Sequence, residues 1–194
     1  MKPARRPATY EDLLAVPDNL VAEIVDGELF TSPRPAAPHA IAAAALGGDV
    51  LGPFNGPPGH ARGPGGWWIL MEPELHFGPD VVVPDFAGWR RERLPRIEDV
   101  PYFTLAPDWV CEVASPSTAA LDRGRKMGVY ARASVPNLWL VDPLARTVEV
   151  YRLTEHHGRP AWLLAVTHVG GETVRIEPFD AIELELARWW LEAT

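Results

Sequence analysis

The stretch "DWVCEVASPS", residues 108–117, places one acidic residue in the middle of an apolar run. The run predicts a buried β-strand, in which alternate side chains point to opposite faces of the sheet. Glu112 then shares one face with Val110 and Ala114. Burying an unpaired carboxylate costs several kcal/mol or raises its pKa. A neighbouring group must therefore compensate Glu112.

A strand-helix-strand unit extends from this stretch towards the C-terminus. "STAALDRGRKMGVYARA" (117–133) predicts a helix and "NLWLVD" (137–142) a second strand. Two strands joined by a helical crossover pair in parallel. The segments that follow predict a meander of strands and then a terminal helix: "TVEVYRL" (147–153), "AWLLAVTHV" (161–169), "TVRIEPF" (173–179) and "ELARWWLEA" (185–193).

The N-terminal half alternates helices with strands. Thr9 is an N-cap candidate for a short helix that stops at Pro17, and Asp26-Gly27 between apolar segments predicts a hairpin. A helix starting near Pro38 and two further strands follow, the second interrupted by Pro84: "PHAIAAAALGGDVL" (38–51), "WWILMEPELHF" (67–77) and "DVVVPDFAGW" (80–89). The elements together predict an α/β fold, a mixed β-sheet flanked by helices with additional C-terminal antiparallel strands.

Composition narrows the class of protein. The 194 residues, 47% of them apolar, fit a single domain over 1–194, with its core at about 9–153 and C-terminal strands and a helix in 160–194. A net charge of −8 argues against broad attraction to nucleic acid, so that any DNA contact would be local. The single cysteine, Cys111, and the lack of a signal peptide or membrane span predict a cytoplasmic protein.

A second carboxylate interrupts another apolar strand. Asp85 follows three valines and Pro84, much as Glu112 sits inside its own strand. If the two strands are neighbours, the carboxylates converge and repel each other unless a cation lies between them. Oxygen ligands on a rigid sheet suit Mg²⁺ or Mn²⁺, and such a cation would compensate the buried charge of Glu112.

A third acid and a lysine complete the set of candidate residues. Glu23 lies in an apolar hairpin strand and could hold a metal-bound water or a second metal. Asp122, Lys126 and Tyr130 follow one stripe of the predicted helix. The chain has 16 arginines but only two lysines, so a lysine here indicates a need for a compact ammonium.

Each of these residues also has a purely structural interpretation. Asp85 could be a turn or bulge residue, Glu112 the partner of an arginine, and Glu23 a solvent-facing residue. The Asp122 and Lys126 side chains could form a surface ion pair, and His39 could be a cap or a packed side chain. The arginines of "WRRERLPR" (89–96) fit a solvated loop or, as a second interpretation, contacts with phosphate.

The order of these residues resembles the bacterial Uma-type endonucleases, a family formerly catalogued only as a domain of unknown function. The shared pattern is Glu23, Pro84-Asp85, Glu112-Val113 with "SPST", Asp122 with Lys126, and "SVPNLWLVDP". The resemblance runs from about residue 9 to at least residue 153 and implies the restriction-endonuclease-like fold of the PD-(D/E)XK superfamily, whose aspartate and glutamate bind metal. Its lysine usually lies two residues after the glutamate, where this chain has Ala114. The resemblance implies that Lys126 takes that place and that His39 matches the family's histidine at a helix start.

These observations predict a metal-dependent endonuclease that hydrolyses phosphodiester bonds in DNA. Asp85 and Glu112 would hold Mg²⁺ or Mn²⁺, with the Val113 carbonyl as a further ligand. Lys126 would orient the water or stabilise the developing charge, and Glu23 would support the site. Two alternatives stay open, a catalytically silent binding or scaffold protein with the same fold and hydrolysis of a small phosphorylated substrate. The paired tryptophans at 67–68 and 189–190 predict a homodimer surface.

Overall fold

A computed structural model describes residues 6–191 of the chain. The helices are α1 (Tyr10–Leu14), α2 (Ala37–Phe54), α3 (Ala119–Leu121) and α4 (Met127–Arg132), with a π-helical turn at Asp122–Lys126 and a 3₁₀ turn at Leu186–Trp189. The strands are β1 (Leu20–Val25), β2 (Glu28–Pro33), β3 (Trp67–Met71), β4 (Leu75–Phe77), β5 (Asp80–Val82), β6 (Phe86–Arg90), β7 (Trp109–Val113), β8 (Asn137–Asp142), β9 (Thr147–His156), β10 (Arg159–Val169), β11 (Thr173–Val174) and β12 (Leu184–Glu185).

A six-stranded mixed sheet forms the centre of the fold, in the order β10-β9-β8-β7-β6-β3. β7 and β8 pair in parallel and are joined through α3, the π turn and α4, whereas the other neighbours in this sheet pair antiparallel. The predicted crossover and the predicted mixed sheet are therefore confirmed.

The faces of β7 alternate as the sequence predicts. Trp109, Cys111 and Val113 pack into one hydrophobic cluster, and Val110 packs into a second cluster on the other side of the sheet. Glu112 faces the same way as Val110 and is buried. The sheet thus carries Glu112 into the side of the protein where α4 packs.

A four-stranded antiparallel sheet, in the order β2-β1-β5-β4, lies beside the first. Its β1–β2 hairpin pairs Val25 with Glu28 across a two-residue turn. Asp26 and Gly27 in that turn have φ values of 51° and 76°, as the favoured two-residue hairpin turn requires. The hairpin predicted at Asp26-Gly27 is confirmed.

The segments 67–77 and 80–89 each bend in the middle, whereas the sequence predicts two strands and an interruption only at Pro84 in the second. β3 pairs with β6 in the large sheet, and β4 pairs with β5 in the small one, in the same register on both sides of the bend. Residues 67–90 therefore form one hairpin that leaves one sheet and enters the other. Pro73 and Pro84 lie at the two bends, where a residue without an N–H cannot continue the ladder.

The helices mostly follow the prediction. Thr9 and Asp12 form a capping box at the start of α1, and α2 begins within one residue of the predicted Pro38. The helix predicted after "SPST" also forms, although its central turn is π-helical and not α-helical.

The predicted terminal helix is wrong, and the segment 173–179 contributes only the short β11, which pairs with β12. A 3₁₀ turn stands where the helix was predicted, and residues 192–194 of that segment lie outside the described part. Trp189 and Trp190 are both buried, and their indole N–H groups donate to Asp49 and to the Gly170 carbonyl. These two anchors hold the chain against the core, so the tryptophan pair gives no support to a dimer surface.

Within residues 6–191 no helix is long and apolar enough to cross a membrane.

Candidate active site

Glu23, Asp85, Glu112 and Lys126 meet at one cavity between the two sheets. Its volume is about 60 Å³, and its lining also includes His39, Glu72, Val113, Ser115, Thr118 and Asp122. Each predicted site residue except Tyr130 lines this cavity, and Tyr130 contacts it through Glu112. The distant segments that the sequence singled out thus come together.

Asp85 and Glu112 are neighbours because β6 and β7 are neighbours. The register pairs Phe86 with Cys111, so the preceding Asp85 lies opposite Glu112. Asp85 Oδ2 accepts a hydrogen bond of 2.7 Å from the Val113 N–H. Both carboxylates line the same cavity, and Val113 contacts Asp85 through its amide.

Lys126 is held between two carboxylates inside the protein. Its Nζ lies 2.7 Å from Glu23 Oε1 and 2.8 Å from Glu112 Oε1, and the residue is only 2% exposed. Burial lowers the pKa of Lys126, but the charges of Glu112 and Glu23 outweigh this effect and raise the pKa well above its ordinary value. The ammonium therefore stays charged and compensates Glu112, so the interpretation of Glu112 as an arginine partner is wrong.

Glu23 serves as the anchor of this lysine. Its Oε1 also accepts a 2.7 Å hydrogen bond from the Val83 N–H, which fixes the carboxylate against the bend before Asp85. Glu23 is 5% exposed, so its interpretation as a solvent-facing residue is wrong. Its contact with Lys126 differs from the metal-supporting role that the sequence suggested.

Glu112 has a second partner in Tyr130, whose hydroxyl donates to Glu112 Oε1. Burial raises the pKa of Glu112 well above its ordinary value, and the surrounding carboxylates add to this increase while Lys126 opposes it. The two contacts to one oxygen fix the orientation of the carboxylate. The spacing of Lys126 and Tyr130 along the helix explains how both reach it.

Asp122 lies in the same cavity and is 3% exposed, so it is not part of a surface ion pair. Its Oδ1 is 3.6 Å from Lys126 Nζ. Burial raises the pKa of Asp122, whereas the charge of Lys126 lowers it in part. The π turn that contains both residues widens the helix by one residue at this point, and such turns frequently mark functional sites.

His39 contacts the other side of Asp85, with Nε2 2.9 Å from Oδ1. Burial lowers the pKa of His39, but the hydrogen bond and charge of Asp85 outweigh it, so the pKa is raised. His39 is therefore neither a helix cap nor only a packed side chain. It lies where it can hold the Asp85 carboxylate in place.

The arginines that follow Asp85 lie away from the cavity. β6 carries the chain about 16 Å from Asp85 to Arg90. Arg91 stacks on Trp68, Arg93 pairs with Asp108, and Arg96 pairs with Glu98. These contacts favour the structural interpretation of this arginine segment.

The sequence did not single out Glu72, Ser115 or Thr118 as site residues. Ser115 and Thr118 belong to "SPST" at the end of β7, and their position after a site strand is the signal that could have found them. Glu72 lies at the bend of the hairpin, and its N–H donates to the Asp85 carbonyl. Its place depends on the hairpin register, which no local pattern indicates.

The donor set fits a divalent cation. Five carboxylates line the cavity and one ammonium offsets only part of their charge, so the site keeps excess negative charge. Within residues 6–191 no group of three or more His, Cys, Asp or Glu side chains is arranged to hold a metal. Mg²⁺ usually takes only one or two protein carboxylates and leaves its other positions to water and phosphate, which Asp85 and Glu112 would satisfy.

Asp85 directly precedes β6, Glu112 lies on the adjacent β7, and Lys126 lies in the π turn of the crossover between β7 and β8. This is the arrangement that the resemblance implied for a restriction-endonuclease-like fold. The particular family follows from the comparisons with known proteins.

The chain belongs to the Uma2 family, described as "Putative restriction endonuclease", whose family model matches residues 7–187. A similar solved structure is that of a "putative nuclease belonging to DUF820" from Anabaena variabilis ATCC 29413. The two are 22% identical with a TM-score of 0.69, and the match covers 95% of this chain and 100% of that one. No curated protein matches the chain significantly. The predicted family and the predicted fold are confirmed.

Proposed function

We propose that this protein is a metal-dependent endonuclease that hydrolyses phosphodiester bonds in DNA. The observation that carries the proposal is the buried Lys126, held between Glu23 and Glu112 beside Asp85. Membership of a restriction endonuclease family supports a nucleic acid substrate. A structural lysine would not need a cavity lined by five carboxylates.

Asp85 and Glu112 would hold Mg²⁺ or Mn²⁺, with the Val113 carbonyl as a further proposed ligand. When bound, the metal would supply Lewis-acid chemistry, because it neutralises charge on a phosphate and lowers the pKa of water. His39 and the Val113 N–H orient Asp85, and Tyr130 orients Glu112. These contacts prepare the two carboxylates before any ligand arrives.

Lys126 would act on the reacting groups themselves. Its ammonium could orient the attacking water or stabilise negative charge on the phosphate. Glu23 keeps the ammonium in position from the side opposite Glu112. A cavity of about 60 Å³ holds only a few water-sized groups, so a nucleotide would present its phosphate at the mouth of the cavity.

Two further proposals accompany the activity. We expect a homodimer, in which the exposed edge strand β10 is the candidate contact. We also expect a reducing location such as the cytoplasm, since Cys111 is a free buried thiol.

Metal binding can be tested without a substrate. Calorimetric titration of Mn²⁺ should show binding to the wild type that Glu112→Gln abolishes. Glu98→Gln, on an exposed loop outside the cavity, is the matched control and should bind like the wild type. Lys126→Met should bind Mn²⁺ about tenfold more tightly, because a positive charge is removed from the carboxylates.

Cleavage is tested on circular DNA, which only an endonuclease can open. With Mg²⁺ or Mn²⁺ the wild type should nick or linearise the circle, and Lys126→Met and Asp85→Asn should be at least about 100-fold slower. Activity should disappear in EDTA and be kept in Glu98→Gln. Metal binding without cleavage of duplex or single-stranded circles would contradict the proposal and favour the silent scaffold.

A further inference from the structure

DNA bound at the mouth of the cavity would need a positively charged partner, which the side chains inside the cavity do not provide. Lys126 is buried and already contacts Glu23 and Glu112. A DNA strand brings a phosphate at every nucleotide, and these phosphates bind through arginine, lysine and backbone N–H groups. The rim beside the cavity is therefore the place to look for a phosphate contact.

Arg34 lies at this rim. It stands between Pro33 and Pro35, which both line the cavity. Its Nη1 is 3.5 Å from Oε2 of Glu72, which lies at the bend of the 67–90 hairpin. The side chains are 61% and 49% exposed, so this long contact contributes little to stability and exchanges easily. A guanidinium presents a planar fork that matches phosphate, and the flanking prolines restrict the backbone that carries it.

The first turn of α2 adds to the same rim. This 18-residue helix starts three residues after Arg34 and has neither a side-chain cap nor an acidic residue in its first turn. Apart from Pro38, which has no N–H, the free N–H groups of such a turn carry partial positive charge and favour anions. His39 lies in that turn, is 8% exposed, and its Nδ1 has no hydrogen-bond partner among the described residues.

We propose that Arg34, supported by the first turn of α2, binds a backbone phosphate of the DNA strand next to the one that is cut. Glu72 is the resting partner of Arg34 and releases it when the phosphate arrives. This inference rests on the proposed nuclease function and names the residue that positions its substrate. Arg34 is a positioning residue, because its phosphate is not the reacting one.

The test is DNA binding by fluorescence anisotropy, with a labelled duplex and Ca²⁺ in place of Mg²⁺ so that the duplex stays intact. Arg34→Ala should weaken binding about tenfold and reduce the slope of log K against log salt by about 0.9, the loss of one phosphate contact. Arg34→Lys should keep the slope and recover part of the affinity. Glu72→Gln should bind a few-fold more tightly than the wild type.

Arg96→Ala is the matched control, because Arg96 is also exposed, also pairs with one glutamate, and lies outside the cavity. It should bind DNA like the wild type. In cleavage assays Arg34→Ala should raise KM and leave kcat nearly unchanged, which a general loss of structure would not do. If Arg34→Ala binds with the affinity and salt slope of Arg96→Ala, the inference on Arg34 is overturned while the nuclease function stands. If the wild type neither binds nor cuts DNA, both fail.

Discussion

At the scale of single residues, the site concentrates charge where the protein can least solvate it. Glu112 and Asp122 are each 3% exposed, and burial raises the pKa of both. The Lys126 ammonium compensates Glu112 and Glu23 but offsets only part of the charge of the five carboxylates. The raised pKa means that the folded protein favours the neutral form of Glu112, so the contribution of this side chain to stability depends on pH.

Because the pKa of Glu112 is raised in the folded protein, replacing Glu112 by Gln should stabilise the protein at neutral and alkaline pH, by about 1 kcal/mol or more. The raised pKa means that the folded protein holds this proton more tightly than the unfolded chain. The resulting stability is fully present below the usual glutamate pKa of about 4.3 and is lost as pH rises through the folded pKa. Glutamine mimics the protonated acid, so the two proteins should converge as the pH falls towards about 4.5. Urea unfolding across this range measures the difference.

A variant that is less stable than the wild type at about pH 8 would contradict this expectation. It would mean that the contact between Glu112 and Lys126 is net stabilising. Glu98→Gln again serves as the control, because an exposed glutamate should change stability little at any pH.

The sequence singled out residues that the structure brings to one cavity, but it did not indicate their contacts. Glu112 and Asp85 stand out because charge interrupts apolar strands, and Lys126 stands out because lysine is scarce. Glu23 and Lys126 are 103 positions apart in the sequence. Their contact depends on how the small sheet packs against the crossover helix. Local patterns carry no information on such a contact.

At the scale of elements, the π turn sets the spacing of the site. It places Asp122 and Lys126 together in the cavity while α3 and α4 continue on either side. The sequence predicted the helix from its length and position, but a single extra residue within a turn leaves no periodic signal. The sequence also did not predict that both arms of the 67–90 hairpin pass from one sheet into the other. Pro84 indicates an interruption of the strand, but a single proline is compatible with an edge strand as well as with a change of sheet.

Gly124 lies in this π turn and offers an element-scale test. A Cβ at Gly124 would meet no atom within 4 Å, and its backbone lies outside the left-handed region. Gly124→Ala should raise the free energy of unfolding by about 0.5–1 kcal/mol, because alanine loses less entropy on folding. DNA cleavage should be unchanged. Thermal unfolding of both proteins measures the shift.

Gly27→Ala is the contrasting variant, because Gly27 has a φ of 76° in the β1–β2 turn, where alanine is strained. It should lower stability. Equal effects of the two substitutions would show that the π turn, too, needs the conformational freedom of glycine.

At the scale of the whole molecule, β10 is an edge strand of the large sheet, and no strand within residues 6–191 pairs with its outer side. Leu163, Leu164, Val166 and Val169 are exposed on this strand, between 39% and 55%. Natural proteins usually protect a long apolar edge with charge, and after Arg159 this strand has no Lys, Arg, Asp or Glu side chain. Pairing of this edge with a second copy would bury it, which gives the expected homodimer a structural basis other than its tryptophans.

Light scattering on the purified protein should therefore report a dimer, and Leu164→Lys should convert it to a monomer. A charged side chain on the edge opposes strand pairing. Leu144→Lys is the control, because Leu144 is 64% exposed in the turn between β8 and β9 and should leave the dimer intact. A monomeric wild type, or equal effects of the two lysines, would exclude β10 as the contact.

The bent hairpin of residues 67–90 also constrains how this chain can diverge. Its two arms keep one register through both sheets, so an insertion of one residue in either bend would shift one arm against the other. Such a slip turns every side chain beyond it to the opposite face, including the strand that leads into Asp85. Insertions and deletions here should survive only as compensated pairs, one in each arm. When homologues are aligned, length changes in 72–74 should be matched by equal changes in 83–85.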